Sequence, residues 1–189
     1  MSVFTVSFPH SVKENILRYS MKRVMILGSP GAGKSTLSFA LSEKTGIPVT
    51  HLDKLFWTPG WVSVSAEELD KKIESAVSED KWIIDGNYSR TIPLRLERCD
   101  TVIFLDYPTH VCLFGVIKRI LTNHGKVRED MSPGCPERFD LEFLKYVVGF
   151  RKNQRAKILS LLSSDSAAGK SVYILKNRAE CRRFLSELS

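Results

Sequence analysis

At 189 residues, 43% of them hydrophobic and 26% charged, the chain has the size and balance of one globular domain with its own core. No apolar run approaches the ~20 residues of a membrane-spanning helix. The start also lacks a basic stretch, a continuous apolar run and a small-residue cleavage site, so a cytoplasmic protein with neither membrane span nor secretory signal is expected. The net charge of +7 lies wholly in the second part, with 13 Lys and Arg against 13 Asp and Glu up to residue 110, then 15 against 8. That excess suits polyanions, either the phosphates of a nucleotide or the backbone of a nucleic acid.

In chain order, residues 1–20 stand apart as an N-terminal extension, a disordered tail or sequence upstream of a natural start, and residues 21–189 form the domain. Met21 to Gly28 (MKRVMILG) is an apolar run closed by glycine, the pattern of a buried parallel strand, and Ser35 opens a helix. Ile47 to Leu52 reads as a second strand, Ala66 to Val77 as an amphipathic helix, and Trp82 to Asp85 as a third strand ended by Gly86. Thr101 to Asp106 is a fourth strand stopped by Pro108, and Val111 to Leu121 a helix. A polar loop from Thr122 to Pro136, one basic helix from Leu141 to Leu162, a fifth strand from Ser171 to Leu175 and a last helix from Arg178 to Leu188 complete the chain. Strands alternating with helices predict an α/β, three-layer fold: a five-stranded parallel sheet flanked by helices. Cys99, Cys112, Cys135 and Cys181 form no CxxC pair and read as reduced thiols.

Gly28-Ser29-Pro30-Gly31-Ala32-Gly33-Lys34-Ser35 matches GxxxxGK[ST] in full, after a strand and before a helix, where the mechanism requires it. Glycines let consecutive N–H groups turn inward on phosphate oxygens at the positive end of the following helix. Lys34 is expected on the β- and γ-phosphates of ATP, Ser35 on Mg²⁺, and Thr36 near the α-phosphate. Asp85 and Asp106 end the third and fourth strands at the carboxyl edge, facing the crevice where ligands of such sheets bind, and are the candidate metal carboxylates.

GSPGAGKSTL, then HLDKLFWTPGW at 51–61, WIIDGNYSR at 82–90, LERCDTVIFLD at 96–106 and the R-x-D-x-x-x-G-C-x-E-R run from Arg128 to Arg138 carry a resemblance. Together they resemble the adenylate-kinase-like P-loop kinases, and most of all the DNA topology modulation protein family, from Met21 to about Arg155. The resemblance implies a P-loop NTPase fold, an acceptor region between strands 2 and 3, and an arginine-bearing lid at about 122–138. Arg119 and Arg128 at the lid's edges are then the candidates to neutralise the moving phosphoryl group, with Arg138 a weaker third. Asp53 would orient or deprotonate an acceptor hydroxyl, or else contact a sugar or base. Trp61, with Trp57 and His51, lies where acceptor groups bind, and Gly86 begins the acceptor-side turn. Adenylate kinases carry a DGFPR motif whose arginine grips the acceptor phosphate. Here DGNYSR offers Arg90 one residue later, with Arg95 behind it. Asn177 and Arg178 follow strand 5, where such kinases meet the base.

Two functions follow from these readings. The first is an ATP- and Mg²⁺-dependent phosphotransferase acting on a nucleotide or other small-molecule acceptor. The second is an ATP-binding regulator that binds DNA and affects its topology, drawn from the basic second part and the family's name. Nucleic-acid affinity would fall steeply with salt, whereas phosphoryl transfer would not.

Overall fold

In the computed structural model, residues 21–188 are described; the extension expected at 1–20 lies outside them. Five parallel strands, β1 (Arg23–Gly28), β2 (Val49–His51), β5 (Trp82–Asp85), β6 (Thr101–Leu105) and β7 (Ser171–Leu175), form one sheet in the order β2-β5-β1-β6-β7. β1 is central, pairing Ile26 with Asp85 on one side and Gly28 with Leu105 on the other. Its residues from Val24 onward are buried because helices cover both faces, and their alternation divides the core. Val24 and Ile26 join Leu37, Leu41 and Val116 on one face, and Met25 and Leu27 join Ile73, Leu96 and Phe104 on the other. Among the described residues no helix is long and apolar enough to cross a membrane.

The helices are α1 (Lys34–Thr45), α2 (Leu52–Phe56), α3 (Ala66–Ser78), α4 (Ile92–Arg98), α5 (Thr109–Asn123), α6 (Leu141–Asn153), α7 (Arg155–Leu162) and α8 (Arg178–Ser186). Three departures from the sequence reading affect the site. Residues 52–63 hold the short α2 and an antiparallel hairpin, β3 (Trp57–Thr58) and β4 (Val62–Ser63), each too brief for a periodic signal. Residues 92–98, which carried no expected element, form α4, entered through Pro93 near its first turn, where a missing N–H costs nothing. The single helix expected over 141–162 is two, because Gln154 (φ −115°) ends α6 and begins α7.

Candidate functional site

The loop from Gly28 to Lys34 leaves the central strand and turns into α1. Gly31 (φ 78°) and Gly33 (φ 95°) are left-handed, the conformation glycine adopts without cost. A Cβ on Gly31 would stand 2.1 Å from the Cys112 carbonyl, and one on Gly115 would stand 2.3 Å from the Gly31 oxygen. The loop is therefore seated backbone to backbone on α5. Gly33 caps α1 without a side-chain bond, and no acidic residue occupies the helix's first turn. With no side chain at its cap, the helix thus leaves its leading N–H groups to another acceptor. Lys34 folds back over the loop, its Nζ donating to the carbonyls of Gly28 (3.0 Å) and Ser29 (3.3 Å). Burial lowers its pKa, and the nearby charges of Asp85 and Asp53 oppose that. Ala32 N–H closes the turn on the Ser29 carbonyl (3.1 Å), while Pro30 is half-buried and Thr36 exposed. Asn87 fixes the loop's root: Gly28 N–H donates to its Oδ1 (3.1 Å), and its Nδ2 donates to the Gly28 carbonyl (2.9 Å).

The two strand-end carboxylates have different surroundings. Asp85 is buried with both oxygens engaged, one accepting from Ser38 Oγ (3.0 Å), the other 3.0 Å from His51 Nδ1. Asp106, expected as a metal carboxylate, is instead clasped by arginines from either side of the α6–α7 break. Arg155 Nε and Nη2 donate at 2.7 and 2.8 Å, and Arg151 Nη1 at 3.1 Å. Four residues apart, the two arginines lie on the same side of the chain. A carboxylate neutralised in this way must first be released to meet a cation.

The segment expected as a lid, residues 122–138, reaches the end of the loop at Ser35 through Asp130. Glu137, 5% exposed, stands with Oε2 3.0 Å from Arg119 Nε and 2.8 Å from Arg128 Nε, and Arg128 Nη1 donates to both oxygens of Asp130 (2.6 and 2.7 Å). Two arginines are thus balanced by two acids. Burial works to raise the pKa of Asp130, but Arg128, the Ser35 hydroxyl and nearby His51 outweigh it and hold the carboxyl below its ordinary range. The Ser35 hydroxyl therefore faces a lid carboxylate. Burial and neighbouring Arg128 both lower the pKa of Arg119. The lid also docks on the β3–β4 hairpin: Gly60 N–H donates to Gly134 O (2.9 Å), Trp61 Nε1 to Pro136 O (3.2 Å), and Arg138 stacks 5.1 Å above the Trp61 ring.

On the side where an acceptor was expected, exposed Asp53 accepts from the Tyr88 phenol at 2.8 Å. Phe56 bridges Trp57 (4.7 Å) and Tyr88 (5.0 Å), and Trp57 meets Trp61 edge-on at 5.5 Å. Gly86 packs where a Cβ would meet Leu52 at 2.8 Å, and its N–H donates to Ile26 O (3.2 Å). Arg90 departs from expectation. Its guanidinium is turned onto α3, at 2.5 Å from Asp70 and 3.0 Å from the Ala66 carbonyl, away from the acceptor side. Arg95 is wholly buried and donates to the Gly86 carbonyl (2.9 Å), the Asn87 carbonyl and Thr91 Oγ1. It holds the turn that presents Asn87. Arg178 is exposed at the start of α8, close enough to Tyr107 to lower its pKa against the rise caused by burial.

Sequence reasoning passed over Asn87, Tyr88, Asp130, Glu137, Arg151 and Arg155. For Asp130 and Glu137 a signal was present, because two acids spaced between the lid arginines are the partners that buried arginines require. For Asn87 there was none, since its role depends on the parallel pairing of β1 with β5.

No protein-family model matches the chain. Among curated proteins, an adenylate kinase of Thermotoga neapolitana is 30% identical over 109 residues, 56% of this chain and 49% of that protein. An adenylate kinase of Treponema denticola is 25% identical over 138 residues, 64% of this chain and 65% of its own. The chain spans about half the length of the first of these. Of solved structures, shikimate kinase from Bacteroides thetaiotaomicron has a TM-score of 0.54 at 19% identity, covering 89% of this chain and 96% of its own. Shikimate kinase from Acinetobacter baumannii in complex with shikimate has a TM-score of 0.52 at 14% identity, covering 95% and 94%. The chain has the fold of the P-loop kinases.

Proposed function

We propose that the chain is a phosphotransferase that moves the γ-phosphoryl group of ATP to a small-molecule acceptor. The observation that carries this reading is the position of Lys34. Its ammonium lies inside a loop of left-handed glycines, facing Asp53 across the site, with the arginine-bearing lid reaching the loop's end at Ser35. Phosphoryl transfer needs little covalent help, so placing cations around the moving group and an acceptor in line with it accounts for most of the catalysis.

The loop fits ATP because two carbonyls are all that Lys34 bonds there, and both are bonds a phosphate can replace. Magnesium fits as well. The Ser35 hydroxyl is a hard oxygen donor with Asp85 behind it on Ser38, and the Asp130 carboxylate beside it would join once released from Arg128, as Asp106 would from Arg155. Among the described residues no three His, Cys, Asp or Glu gather as a metal cage, so the ion would depend on phosphate oxygens and water. Bound there, it would neutralise the phosphates. Lys34 then holds the β- and γ-phosphates, Arg119 and Arg128 take up charge on the phosphoryl group, and Asp53 orients the acceptor. Closure of the lid on the hairpin excludes water.

The test is ADP release with ATP and Mg²⁺ against a panel of acceptors, run beside Lys34→Ala. Acceptor-stimulated release that falls at least ~100-fold in the variant supports the proposal. ATP binding without stimulation by any acceptor defeats it.

A further inference from the structure

We infer that the acceptor is a hydroxyl-bearing ring compound that carries no phosphate, a proposal that rests on the kinase reading above. Four observations point the same way. First, the group facing Lys34 from the acceptor side is a carboxylate, Asp53, and its bonded partner is the neutral phenol of Tyr88. Burial and Asp53 drive the Tyr88 pKa far up, so the phenol stays a donor. Asp53 with Tyr88, and Tyr146, whose pKa is raised by burial and by the nearby Asp53 charge, make a wall that matches hydroxyl groups and repels a dianion.

Second, the arginines of the acceptor-side turn are committed elsewhere. Arg90 is held by Asp70 and a carbonyl of α3, and Arg95 is buried on backbone carbonyls. Near the rim stand Lys54, exposed on α2, and Arg138, which lies over Trp61 and within 3.8 Å of Asp140. Neither forms part of a paired arginine fork of the kind that seizes a phosphate.

Third, Phe56, Trp57 and Trp61 form one edge-to-face cluster that stays only partly buried beside Asp53 and Tyr88. A flat ring would cover them. Fourth, Trp61 (φ 64°) and Tyr88 (φ 34°) are the two non-glycine residues with positive φ among those described, and both border this region. Such strain, costing roughly 1–3 kcal/mol each, concentrates where side chains must be aimed.

The transfer balances simply. The acceptor's hydroxyl oxygen forms a bond to the γ-phosphorus of ATP as the bond from that phosphorus to the β–γ bridging oxygen breaks. ADP departs with the bonding pair, and the hydroxyl proton passes to Asp53 and on to water.

The experiment titrates wild-type protein, held with a non-hydrolysable ATP analogue and Mg²⁺, with nucleosides and cyclic polyols, each paired with its monophosphate ester. Binding is read from quenching of Trp57 and Trp61 fluorescence, and Trp82, which is buried, supplies a constant background. At least one unphosphorylated member should quench at least ~10-fold more tightly than its ester and stimulate ADP release. Asp53→Asn should keep that quench and lower kcat by ~100-fold or more, the loss expected of a proton acceptor. Tighter binding of monophosphates, weakened by Lys54→Ala or Arg138→Ala, overturns the proposal, as does a panel in which no unphosphorylated ring compound quenches. Quenching without ADP release from any pair would instead defeat the kinase reading, and this proposal with it.

Discussion

Arg90, just before α4, and Arg95, inside it, stand five residues apart, yet burial gives them opposite roles. Arg95 has no exposed surface, and burial draws its pKa down to about 9, which leaves it charged at neutrality as it bonds the carbonyls of Gly86 and Asn87. Truncation would orphan those carbonyls in the core. Arg95→Ala should cost about 3 kcal/mol or more in urea denaturation, since each buried carbonyl left unsatisfied costs about 1–3 kcal/mol. Arg90 is 55% exposed in its pair with Asp70, and an exposed ion pair contributes at most about 1 kcal/mol. Equal losses for Arg90→Ala and Arg95→Ala would show that Arg95 does not hold the turn.

At the scale of elements, the P-loop is only as rigid as its contact with α5. Gly115→Ala weighs two effects against each other. Alanine in mid-helix gains up to about 1 kcal/mol over glycine. The new Cβ, however, would stand 2.3 Å from the Gly31 carbonyl, so the loop or the helix must shift. The clash should win, with a lower Tm and weaker ATP binding by calorimetry; a rise in Tm would mean that the loop does not rest there. The lid's closure depends on charge in a way that can be titrated. The folded pKa of Asp130 is depressed, so its ion pair contributes stability above the unfolded value of roughly 4, and that contribution is lost as pH falls through the lower folded value. Hydrogen exchange across residues 124–140 should thus be slow and unchanged, after correction for the intrinsic rate, from pH 7 to about 5. Protection should fall below about pH 4. In Asp130→Asn, protection should already be reduced at pH 7.

The whole molecule shows which parts of this architecture were legible in the chain. All five sheet strands and the P-loop were, because continuous apolar runs and a glycine-lysine signature are local patterns. The hairpin at 57–63 and the turning of Arg90 were not, because each depends on a partner distant in sequence, the lid and Asp70 respectively; the break at Gln154 was not either, because no glycine or proline marks it. The same dependence bears on the basic second part, whose 15 Lys and Arg suggested a polyanion partner. Arg119, Arg128, Arg138, Lys145, Arg151 and Arg155 all form ion pairs with acids of this chain. These six side chains are thus not free to fork phosphates, although the pairing leaves the net +7, which already counts those acids, unchanged. Duplex DNA binding, followed by fluorescence anisotropy, should therefore be no tighter than about 1 μM near 50 mM salt and should vanish by about 200 mM, the steep decline of purely electrostatic association. The rise in Tm caused by Mg²⁺ and ATP should persist through the same change, since the P-loop's contacts are partly buried and poorly screened. A submicromolar DNA complex surviving at 200 mM salt would mean that the paired arginines open toward nucleic acid, and would favour the regulator over the kinase.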